Sequence, residues 1–152
     1  MLSFKKAMLF LLLFLVTVGV NAQQKKVTAP AVFSNFSPSI DFSEAILTNA
    51  MQMSKGQQVA ISFGNDLNFP GEVLSNEIVF ENLQTIIIKS SVHNNALLQI
   101  SKQINEDKSI SFVGRIFSQG GSDGYQLKKT LDGNYQLQKF ETAQILQDCE
   151  LH

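Results

Sequence analysis

The chain has 152 residues, 44% of them hydrophobic, with 12 basic and 13 acidic side chains, a single Cys and no Trp. A formal net charge of −1 and the lack of any basic run exclude a nucleic-acid binder, which needs a cationic surface to displace counterions. The same balance leaves no polybasic patch for anionic lipid, and one Cys excludes an intrachain disulfide.

Residues 1–22 read as an export signal. Lys5 and Lys6 give the positive start, Ala7 to Val20 is an uncharged apolar run, and Val20-Asn21-Ala22 places small residues where a signal peptidase cuts. The run is too short to span a hydrocarbon core of about 30 Å. No Cys follows the cut, so no lipid anchor is expected. The expected mature chain, Gln23–His152, is secreted or periplasmic and has no stable membrane anchor. Loss of Lys5 and Lys6 leaves it a net charge of −3.

Residues 23–40, punctuated by Pro30 and Pro38, read as a flexible leader with an edge segment at Val32–Phe36. Asp41-Phe42-Ser43-Glu44 resembles a capping box, with Asp41 as the cap. Phe42, Ala45, Ile46, Ala50 and Met53 then recur at helical spacing, which predicts a helix over about 42–54 stopped by Gly56.

Everything after Gly56 reads as strands, several of them alternating with period two. Strands are expected at 57–63, 67–79 (bent or bulged at Pro70-Gly71), 85–91, 96–103, 109–117, 125–129 and 134–140. Gly64-Asn65-Asp66, Asn94-Asn95, Asn105-Glu106-Asp107 and Leu131-Asp132-Gly133 are the turn signals between them. No helix-length pattern separates consecutive strands, so the connections are hairpins. The predicted fold is α+β: one N-terminal helix packed on a curled antiparallel β-sheet of about seven strands, spanning 41–142. Residues 143–152 form a C-terminal tail.

The residues carry no recognisable catalytic constellation. The sequence has no His-Glu-x-x-His pair, no Gly-x-Ser-x-Gly elbow and no Gly-rich phosphate loop before a helix. His93 falls in a polar turn and reads as solvated. His152 is the last residue of the sequence. Glu106-Asp107 and Asp148/Glu150 read as solvated carboxylates. Arg115, the only Arg, reads as an outward-facing charge, with an ion pair to Asp123 or Glu141 as the alternative. The chain is therefore expected not to be an enzyme and to use no cofactor or intrinsic metal. Cys149 keeps three readings: a bonded partner, a metal ligand or a free thiol. Its acidic neighbours Asp148 and Glu150 raise a thiol's pKa and disfavour a nucleophile, while leaving it able to ligate a soft metal.

Several segments in order resemble the N-terminal prodomain of secreted bacterial zinc metallopeptidases of the adamalysin/reprolysin-like kind. They are Gly56–Phe63, Phe69–Val73, Leu97–Ser101, Gly114-Arg115-Ile116, Gly124–Leu127 and Gly133–Leu137. The resemblance covers about two-thirds of the chain and implies a module that binds, inhibits or assists the folding of a zinc metallopeptidase. It also implies that Cys149 or Asp148 fills the open position on the partner's zinc, displacing the water that zinc activates. The Pro/Lys-rich approach and the following Gly of better-known cysteine switches are missing around Cys149, and no catalytic domain follows. Two origins fit that ending, a truncated reading frame or a free-standing prodomain-like protein. The alternative function is a small secreted binding or structural module with no protease link.

Overall fold

The computed structural model describes residues 29–142. In chain order the elements are β1 (Ser39–Phe42), α1 (Glu44–Ala50), β2 (Gln58–Phe63), β3 (Leu67–Phe80), β4 (Leu83–Ser90), β5 (Leu97–Ile104), β6 (Ile110–Phe117), β7 (Asp123–Lys129) and β8 (Tyr135–Glu141). All eight strands join one antiparallel sheet, in the order β1-β8-β7-β6-β5-β4-β3-β2. From β2 onward each strand pairs with its successor, and β1 returns to pair with β8. The sheet curls into a half-barrel whose inward faces form the core. Its two end strands converge at one corner. There the Phe42 and Phe63 rings meet edge-on at 4.9 Å, and a Cβ on Gly64 would lie 3.2 Å from the Asp41 carbonyl.

The antiparallel sheet and the one helix element among the described residues match the expected plan in outline, but the strand number and the helix boundaries differ. Ser39–Phe42 alternates exposed and buried, with Ile40 and Phe42 inward, so these residues form a strand where a helix start was expected. The eighth strand arises in this way. The N-cap is Ser43, whose Oγ accepts the Ala45 N–H at 3.3 Å, and not Asp41. Asp41 instead accepts the Gln136 side-chain amide across the β1–β8 ladder at 2.8 Å. The helix is also shorter than expected, and it buries Leu47, Ala50 and the following Met51, while Ala45 is exposed. Just past its end, sheet side chains take the next free carbonyls. Asn76 donates to Met51 O and Met53 O at 3.0 and 2.8 Å, and Gln84 donates to Met51 O at 3.0 Å. Those bonds satisfy acceptors that a longer helix would have used internally.

Pro70-Gly71 is not a bulge. The irregularities of β3 fall later, between Val73 and Ser75 and between Ile78 and Phe80. Pro70 is tolerated at the end of the β3–β4 ladder, just past its last pair Gly71–Ser90, where its carbonyl accepts the Ser91 N–H at 3.0 Å and only its own N–H is missing. Gly71 is required by close approach, since a Cβ there would lie 2.2 Å from the Lys89 carbonyl oxygen.

Candidate functional site

The first exposed feature is an apolar arm. β2 and the residues just before it bond β3 as far as Val73, whose N–H donates to Gln57 O and whose carbonyl accepts the Gly56 N–H, so among the described residues β3 beyond Val73 has no strand partner on that side. Its other side pairs with β4 through a tight turn at Glu81-Asn82. Ile78, Val79 and Phe80 at the tip are 76%, 50% and 66% exposed. Ile104, at the end of β5, is exposed beside them, and its N–H donates to Asn82 O at 2.9 Å. Ile78, Phe80, Leu83 and Ile104 border a shallow hollow of about 150 Å³, with Lys102 at its margin. Such an edge, bare of Pro and Lys and rich in large apolar side chains, is the kind of surface that folded proteins usually cover.

The second feature is a cleft on the outer face of the sheet. β5–β6 and β7–β8 are paired along almost their whole lengths, but β6 and β7 share only three pairs, Arg115–Gln126, Ile116–Tyr125 and Phe117–Gly124. Residues 110–114 of β6 therefore have no partner in β7. One bond reaches across the parting from below, as the Phe112 N–H donates to the buried Tyr135 hydroxyl at 3.0 Å. Above it lies a cleft of about 520 Å³, lined by Gln99, Ser101, Val113, Arg115, Gln126 and Phe140 with Gly114 and Leu127 at its base. Phe140 covers Gly124, where a Cβ would stand 2.7 Å from the ring. Arg115 is exposed, with its guanidinium 4.7 Å from the Phe117 ring centre. This is the outward-facing charge expected from the sequence.

The third feature is a strap across one end of the half-barrel. Pro30–Pro38, read from sequence as part of a flexible leader, is packed. The cause is Asp123, a buried carboxylate that accepts the Val32 and Phe33 N–H groups at 2.6 and 2.9 Å. Lys139 donates to the carbonyls of Phe33 and Phe36 at 2.7 and 2.5 Å, and the Tyr125 hydroxyl donates to Ser37 O at 2.6 Å. Phe33 is fully buried against Tyr125, Phe36 and His93. His93 is accordingly not a solvated turn residue. Its ring stacks on Phe69 at 5.6 Å, and its Nε2 lies 2.8 Å from the Asn68 carbonyl, which it can reach only as a donor. Burial, and then the negative charges of Asp123 and Asp66, push the Tyr125 hydroxyl up to about 12.

Cys149 and Asp148, the candidate zinc ligands, lie outside the described residues, as do residues 1–22, the expected export signal. Glu106-Asp107 sits in the β5–β6 turn. Hydrogen bonds from the Ser109 hydroxyl and N–H hold the Asp107 carboxyl below the usual carboxylate range. Among the described residues, no three His, Asp or Glu side chains converge as a metal site would require. The arm and the cleft were missed by sequence reasoning. The arm does leave a trace, because Ile78-Val79-Phe80 breaks the period-two alternation just before a turn. The cleft leaves none, since alternation in β6 and β7 is intact while their pairing is not.

No family model matches the chain, and neither a curated protein nor a solved structure matches it.

Proposed function

We propose that this is an exported, non-catalytic binding protein that docks onto another protein through the apolar arm. The carrying observation is the exposure of Ile78, Val79 and Phe80 on an unpaired strand edge. Burying such side chains is worth about 1.5–3 kcal/mol each, and a free strand edge adds backbone hydrogen bonds to a partner strand. The sequence resemblance over Gly56–Cys149 supplies the partner class, a secreted zinc metallopeptidase. In that reading the arm provides affinity, and Cys149 or Asp148 reaches the catalytic zinc. The second reading is a secreted binding module with no protease link. It is favoured by the β6–β7 cleft, whose mixed polar and apolar lining suits a small ligand or peptide end.

Affinity capture of Gln23–His152 from the source's secreted fraction separates the two. Wild type, Phe80→Ser and Cys149→Ala are compared by mass spectrometry. A zinc metallopeptidase held by wild type, lost with Phe80→Ser and weakened with Cys149→Ala supports the first reading in full. Retention by Cys149→Ala at wild-type strength keeps the partner and discards the zinc-directed thiol. A fraction that contains such a peptidase but yields none turns the assignment to the second reading.

A further inference from the structure

We propose that the parting between β6 and β7 binds the C-terminal end of an extended peptide, its carboxylate on Arg115 and its last apolar side chain against Val113, Leu127 and Phe140. Charge sets the first part of the assignment. Among the described residues Arg115 is the only ionisable side chain lining the cleft, so the occupant's complement is an anion. Guanidinium–carboxylate pairing is a strong, directional form of that contact. Gln99, Ser101 and Gln126 supply further hydrogen-bonding groups around it.

Backbone geometry sets the second part. The Phe112 N–H points toward the β7 side, where Tyr135 accepts it. Gly114 has the same parity along β6, so its N–H also faces the parting, next to Arg115. A chain lying along residues 112–114 would meet strand-spaced polar groups on one side and an apolar base at Leu127 on the other. A sugar carboxylate offers the charge without that spacing or the apolar side chain.

The closed end of the parting sets the third. Pairing resumes at Arg115–Gln126 and continues through Ile116–Tyr125. A strand entering from the open end must stop at Arg115, so the group beside the guanidinium is a chain end. An amino terminus would be repelled there, whereas a carboxylate is not. The Tyr135 hydroxyl already bonds Phe112, so the site accommodates only the last residue or two. The proposal rests on the binding-protein reading only in its broad form. The cleft shares no lining residue with the arm, so either can fail alone.

The test is titration of ¹⁵N-labelled Gln23–His152 with N-acetyl-valyl-leucine, its C-terminal amide and tri-galacturonate, each to about 10 mM, a ceiling that still detects millimolar binding. The expected result is movement of the Gly114, Arg115, Gln126 and Leu127 amide signals with the free acid alone. Arg115→Gln, a change at an exposed side chain, should weaken that binding about tenfold or more with the remaining spectrum preserved. Val113→Glu, which puts a like charge at the rim, should weaken it as well. Equal binding of the amide, unchanged affinity in both variants, a response to tri-galacturonate alone, or no response to any probe would each overturn the proposal.

Discussion

Asp123→Asn tests how the strap is held. The native carboxylate is 5% exposed and accepts two backbone N–H groups, from Val32 and Phe33, at 2.6 and 2.9 Å. An amide of the same shape keeps one acceptor and turns the other into a donor facing an N–H. One hydrogen bond to a charged group disappears, worth about 1.5–3 kcal/mol, and the surviving bond drops to neutral strength. Phe33 follows Val32 into a fully buried position against Tyr125, so loosening the strap also disturbs the core. The combined loss should be about 3 kcal/mol. With a urea m-value of about 1.5 kcal/mol/M for a domain of this size, the unfolding midpoint should fall by about 2 M. Urea denaturation followed by tyrosine fluorescence reads the loss, and amide hydrogen exchange at Val32 and Phe33 locates it. A loss under about 0.5 kcal/mol, the level of an ordinary surface change, would refute the clamp. So would unprotected Val32 and Phe33 amides in the native protein.

Gly71→Ala should destabilise by about 2 kcal/mol or more, or prevent soluble expression, because the new Cβ meets the Lys89 backbone carbonyl at 2.2 Å and β4 must move; thermal unfolding measures it. Tyr125, raised from 10 to about 12, should give a phenol ionisation near pH 12 in an ultraviolet titration that Tyr125→Phe removes. Its proton is held more tightly in the folded state, so its contribution to stability is fully present below pH 10 and is lost as pH rises from 10 through 12. Phe80→Ser, at an exposed site, should change stability by less than about 0.5 kcal/mol while abolishing capture of a partner, which differential scanning calorimetry and the capture assay together check. Intact-mass analysis of the exported protein should give a chain beginning at Gln23; retention of residues 1–22 would contradict the export reading.

Strand content and hairpin order were readable because most strands from β2 to β8 alternate over much of their length, and where alternation fails, as in Ile86-Ile87-Ile88, the β-branched run still marks a strand. The turns were readable from their backbone demands. Asn94 and Asn95 both adopt positive φ, and Gly133 sits at φ +87 after Asp132. The helix start was misread because Asp41 and Ser43 are both competent caps, and the choice lay in tertiary structure. Pairing with β8 drew Asp41 into a strand, leaving Ser43 to cap. The strap was unreadable for a similar reason. Its cause is one carboxylate about 90 positions away, and polar, proline-punctuated sequence looks the same docked or free. His93 was misplaced because its neighbours in sequence are polar while those in space, Phe33, Phe36 and Phe69, are aromatic. The cleft depends on where two hairpins stop pairing, which no local pattern encodes.

The arm as the contact with a partner protein is the central claim, and a photo-crosslinking residue placed at position 80 tests it directly. The fully exposed Leu131, on the β7–β8 turn, serves as the control position. Irradiation in the source's secreted fraction should attach a single dominant protein through position 80 and none through position 131. The same products from both positions, or products from position 131 alone, would contradict the assignment of the arm as the docking surface.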